Sequence, residues 1–116
     1  ILRDVVEDAG RGRLYLPREL LRRHGIEASE PAAVLADPKV GGVCADLAAL
    51  AEARFKGARE AMAQCSRRAM RPAAVMAAVY RATLERLERR GWTALTEPVS
   101  VSKPTKLWLA VRHGLL

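Results

Sequence analysis

One apolar stripe constrains the fold of this chain more than any other feature. Leu47, Ala51, Phe55, Ala58, Met62, Cys65 and Ala69 recur at spacings of three and four, the period of one face of an α-helix. The stripe predicts a long helix from about Gly41 to Arg68. The Arg71-Pro72 step should end it and open the next, because a residue before proline is pushed away from helical dihedrals and proline suits a first turn. The second helix is then expected from Pro72 to Arg90, with Met76, Val79, Tyr80, Thr83 and Leu87 on one face and Gly91 as its stop. Two matching stripes joined by a tight turn predict an antiparallel pair.

The flanking segments read as shorter helices. Ile1 to Ala9 reads as the end of a helix, stopped by Gly10 and Gly12. Pro17 opens a short helix from Arg18 to His24, and Gly25 stops it. Ile26 to Pro38 reads as a loop or a short helical turn. Pro98 to Ser102 alternates apolar and polar residues and is expected to be extended. Pro104 opens a last helix, in which Leu107, Trp108, Val111 and Leu115 face one way. Nothing reads as a sheet, and there is no internal repeat. The class is all-α, and residues 1–116 make one domain at most.

Half of the residues are apolar, but aromatics make up only 4%. That is a thin core for a free-standing domain and suits a piece of a larger helical bundle. The net charge is +7, from 20 Lys and Arg against 13 Asp and Glu. Such a balance suits nucleic acid, an anionic membrane surface or anionic substrates. No helix presents the dense basic face of a recognition helix, which argues against nucleic acid. Many arginines stand beside glutamates on helix faces, as Arg89 does with Glu85, and read as solvated surface. Cys44 and Cys65 fall on one expected helix, about 30 Å apart at helical rise, too far for a disulfide. Two buried free thiols suit a reducing cytoplasm. No apolar run approaches the 18 or more residues of a membrane span. His24 and His113 each precede a helix-stopping glycine and read as structural.

The chemistry is concentrated near the start. Asp4 and Asp8 are four apart in a stretch expected to be helical, which puts both carboxylates on one face. Glu7 lies beside them, and Arg3, Arg11 and Arg13 flank them. By spacing alone such a pair is most often a solvated face. Its chemistry also suits Mg²⁺, an ion usually held by one or two carboxylates together with substrate phosphates.

The string R-D-V-V-E-D-A-G-R-G-R-L-Y-L-P, Arg3 to Pro17, resembles the second aspartate-rich motif of the squalene/phytoene synthase family, head-to-head prenyltransferases of the all-helical isoprenoid synthase fold. The block from Arg71 to Trp92 is similar to the family as well. So is the tail V-S-V-S-K-P-T-K-L-W-L-A-V-R-H-G-L-L, which looks most like the bacterial branch that makes presqualene diphosphate for hopanoids.

The resemblance implies the C-terminal part of the isoprenoid synthase bundle. It implies a transferase that condenses two farnesyl diphosphates to presqualene diphosphate with release of diphosphate; phytoene or squalene synthase is the alternative. By match to the motif, Asp4 and Asp8 would be catalytic and would ligate Mg²⁺. Arg3 and Arg13 would contact diphosphate, against an Arg3–Glu7 pair or plain surface charge. Tyr80 stands where the family carries a tyrosine near the substrate, and Tyr15 is expected to pack on a neighbouring helix. The family's earlier aspartate-rich motif has no match here, so the missing N-terminal part of the same enzyme is an expected partner, and this chain by itself is expected to be inactive. Reduction to squalene would need NADPH, for which no dinucleotide fingerprint is present. The location implied is the cytoplasm. The basic, amphipathic last helix suits either packing on the bundle or peripheral contact with the inner face of the membrane. The reading from another class is a non-catalytic basic helical module for interaction or nucleic-acid binding.

Overall fold

A computed structural model describes residues 1–114, which carry six helices and no strand. In chain order these are α1 (Val5–Gly10), α2 (Arg18–Arg23), α3 (Pro31–Ala36), α4 (Val40–Ala63), α5 (Arg67–Arg90) and α6 (Lys103–Gly114). The all-α expectation holds.

The two long helices differ from expectation at their junction. α4 ends at Ala63 rather than Arg68, and α5 starts at Arg67 rather than Pro72. The reason is Ser66. Its ψ of 124° leaves the helical region, and its hydroxyl accepts the Ala69 N–H at 3.5 Å, which satisfies one of the unpaired donors of a helix start. Pro72 then falls inside α5, in its second turn, where its missing N–H removes a single helical hydrogen bond near the helix end. The cysteines are therefore not on one helix. Cys44 is buried in α4, while Cys65 lies exposed in the link, and both are free.

α1 is also shorter than expected at its start. Asp4 stands at its N-cap, and the Asp4 N–H reaches only the Ile1 carbonyl, at 3.2 Å. The first N–H groups of a helix have no carbonyl of their own helix to reach, so the regular turn begins at Val5. α3 fills part of the segment read as a loop or short turn, and Pro31 supplies its first residue.

The core lies at one end of the molecule. Val34, Val43 and Cys44 are wholly enclosed. Leu2, Val5, Leu16, Leu21, Ile26, Leu84 and Leu87 close around them. α1 packs on α3, and α2 and α3 pack on the first half of α4. His24, at the end of α2, reaches Asp46 of α4 with Nε2 and Oδ2 2.6 Å apart. Its ring passes so close to Gly42 that a Cβ there would lie 2.8 Å from it.

α4 and α5 run antiparallel, as expected, with α6 laid on α5. Away from the core end, the α4 stripe is only half covered: Phe55 and Met62 are half-buried, and Ala58 is exposed. Ser102 caps α6, accepting the Thr105 N–H at 3.3 Å, and Pro104 follows in the first turn. The stripe expected on one face of α6 is the face turned outward. Leu109 and His113 face α5, while Leu107, Trp108 and Val111 are 67%, 56% and 44% exposed. Leu115, read as part of that stripe, lies outside the described residues.

The radius of gyration is 16.2 Å, against about 13 Å for a compact domain near this size. The accessible surface is 7968 Å², where a compact monomer of this mass would show about 6,200 Å². The excess of about 1,700 Å² includes apolar side chains on the long helices, with Met76 and Tyr80 59% and 57% exposed.

Candidate active site

The chain from Ile1 to Asp4 crosses the α4–α5 pair where both stripes are still apolar. An open cleft of about 330 Å³ forms there. One wall is Leu47, Ala51 and Phe55 of α4, and the other is Tyr80, Thr83, Leu84 and Leu87 of α5. Arg3 and Asp4 stand at its rim. Three residues singled out from the sequence, Arg3, Asp4 and Tyr80, thus meet at one cleft from segments more than 70 positions apart.

Asp8 and Arg13 do not line this cleft. Asp8 follows Asp4 by one turn, its N–H donating to the Asp4 carbonyl at 2.8 Å. Its own carbonyl closes the end of α1, accepting from the Arg11 N–H at 3.0 Å and the Arg13 N–H at 2.8 Å. Gly12, with φ of 72°, makes that reversal, a left-handed conformation costly for residues with a Cβ. Arg13 is exposed.

The charges around the carboxylates are paired in a local order. Arg3 pairs with Asp4, Nε to Oδ1 at 3.0 Å, and not with Glu7. Glu7 pairs instead with Arg11, at 3.0 Å. The hydrogen bond from Arg3 holds the Asp4 carboxyl below the usual carboxylate range, and the same contact raises the Arg3 guanidinium. Among the described residues, the Asp8 carboxylate has no hydrogen bond or ion pair, and no group of three or more His, Cys, Asp and Glu is gathered as a metal cage. Two carboxylates one turn apart, one of them unengaged, are the donor set that Mg²⁺ takes when phosphates and waters complete its shell. The residues present fit the ion on that chemistry.

The apolar walls were read from the sequence as helix packing, and that stripe is the signal that could have found them. Thr83 adds no free donor, because its hydroxyl donates to the Val79 carbonyl at 3.1 Å. Tyr15, expected to pack, is half-exposed, and Trp92 packs on the core. Glu85 pairs with Arg81, at 4.0 Å, in place of Arg89. No helix among the described residues is long and apolar enough to cross a membrane.

Comparison with known proteins places these residues in context. The sequence model for squalene/phytoene synthase matches residues 1–105. Presqualene diphosphate synthase of Sinorhizobium fredii is 44% identical over 116 residues, all of this chain and 42% of that protein. Presqualene diphosphate synthase of Zymomonas mobilis is 38% identical over 112 residues, 97% of this chain and 38% of that protein. Phytoene synthase of Thermus thermophilus is 37% identical over 97 residues, 82% of this chain and 32% of that protein. The chain thus spans about two-fifths of the length of the presqualene diphosphate synthases it matches. No solved structure matches.

Proposed function

The chain belongs to the squalene/phytoene synthase family, and from that premise we propose that it is the C-terminal part of a prenyltransferase that joins two farnesyl diphosphates head to head. The product would be presqualene diphosphate, on the route to hopanoids, with one diphosphate and one proton released. The observation that carries this reading is the cleft at which Arg3, Asp4 and Tyr80 converge on apolar walls. Support comes from the relatives: three presqualene diphosphate synthases match at 44%, 40% and 38% identity. The phytoene synthase of Thermus thermophilus stands at 37% over a shorter stretch, and phytoene formation is the second reading.

Asp4 and Asp8 would hold Mg²⁺, which would neutralise charge on a departing diphosphate. The other steps fall to this chain's own groups. Arg3 already presents its guanidinium at the cleft rim, and that planar fork matches diphosphate oxygens as well as it matches the Asp4 carboxylate it now holds. Engaging substrate would free Asp4 from its present partner. Leu47, Phe55 and Leu84 offer the allylic chain one side of the dry pocket that an allylic cation requires. Tyr80 lines the same space. The second aspartate-rich motif needs a counterpart on a facing helix, and the part of the enzyme outside this chain would supply it. The enzyme would act in the cytoplasm, in peripheral contact with the inner face of the membrane.

The test is Mg²⁺-dependent diphosphate release from farnesyl diphosphate by the full-length enzyme. Asp4→Asn and Asp8→Asn should each lower kcat at least about a hundredfold, since several kcal/mol of charge stabilisation is removed. Near-normal release by both variants would remove the metal role.

A further inference from the structure

Arg112 joins two features that the cleft chemistry leaves unused. Its guanidinium stacks over the Trp108 ring, 5.2 Å from the centroid. It also lines a second cleft, of about 340 Å³, beside the α4–α5 link, together with Arg67, Arg71 and His113. No acidic residue is among the described residues lining that cleft. α5 has no acidic residue in its first turn either, so the arginines there reinforce the positive end of the helix dipole.

α6 continues the pattern. Leu107, Trp108 and Val111 are 67%, 56% and 44% exposed, and at helical spacing they fall within about 100° of one another. Lys103 borders the stripe on one side and Arg112 on the other. From Lys103 to Gly114 there is no Asp or Glu. An exposed apolar stripe is thus bordered by cations from two helices.

We propose that this face docks on an anionic phospholipid bilayer. Leu107, Trp108 and Val111 enter the headgroup boundary, where a tryptophan has apolar and polar surroundings at once. The cleft between Arg71 and Arg112 takes a lipid phosphate, for which guanidinium forks are suited. A stripe of three side chains binds weakly alone, so attraction to anionic headgroups must add to it. This deepens the peripheral location proposed above, and vesicle binding is read without turnover, so either reading can fail while the other stands.

The experiment is co-sedimentation of the full-length enzyme with phosphatidylcholine vesicles, with and without phosphatidylglycerol. Binding should be at least about tenfold stronger on the anionic vesicles and should fall steeply as salt rises. Trp108→Ser, Arg112→Gln and Arg71→Gln should each weaken it, leaving diphosphate release in detergent unchanged. Equal binding to both vesicle types overturns the proposal. So does a free-phosphate site, seen as inorganic phosphate raising the melting temperature through Arg71 and Arg112 while vesicles stay unbound. If another part of the enzyme covers Trp108, Trp108→Ser lowers the melting temperature and leaves vesicle binding unchanged, which overturns it as well.

Discussion

Two glycines of α4 show how one substitution changes sign with its surroundings. Gly57 has nothing near its missing Cβ, so Gly57→Ala should stabilise by roughly 0.5–1 kcal/mol through helix propensity. A Cβ on Gly42 would lie 2.8 Å from the His24 ring. There the same change should cost a net ~1–2 kcal/mol, because overpacking outweighs the propensity gain and the His24–Asp46 contact must shift. Urea midpoints of the two variants should move in opposite directions; a shift the same way would contradict the packing described for His24. Nothing in the sequence announced that contact, since the partners are 22 positions apart and neither lies in a motif. The aspartate pair was legible because its spacing and neighbours sit within one short string. Its placement was legible only in part. The string predicted Asp4 and Asp8 together, yet the cleft takes Asp4 with Arg3 and Tyr80 and leaves Asp8 a turn away.

Between α4 and α5, carboxylates meet. Partial desolvation against α4, and then the neighbouring Glu52, pushes the Glu88 carboxyl above its ordinary value. A raised acid binds its proton more tightly in the folded state. The cost to stability is therefore absent below the ordinary glutamate range and appears as pH rises through it. Glu88→Gln should raise the melting temperature at pH 7, modestly because the side chain is exposed to solvent, and should have no effect near pH 3. A gain that persists in acid would assign it to something other than charge. The pairing of these helices was legible from their two stripes, since a period of three and four fixes a face. The junction was not. Proline marks helix ends so often that Pro72 hides the Ser66 cap, although a serine cap satisfies a donor and a proline near a helix start removes only one. The α6 stripe was legible as a stripe but not in its direction, because periodicity reports a face without saying what covers it.

The whole molecule carries more surface than its mass requires, 7968 Å² against about 6,200 Å². Its candidate site is an open cleft with one carboxylate, Asp4, at its rim and a second, Asp8, one turn away. We expect this 116-residue chain, incubated with farnesyl diphosphate and Mg²⁺, to form no C30 product. It cannot hold the diphosphate from two sides or wall a cation from water. A C30 product at a rate near that of a full-length enzyme would overturn the two-motif reading. The open flank around Met76 and Tyr80 has a further thermodynamic meaning. Whatever buries it acts as a ligand of the native state, and native stability then rises with the logarithm of that ligand's concentration. A covalently attached cover is present at an effective concentration of order mM; a detached one is present only at the concentration supplied. The stability of this flank is therefore a property of the pair, set by how the two are joined as much as by the side chains between them.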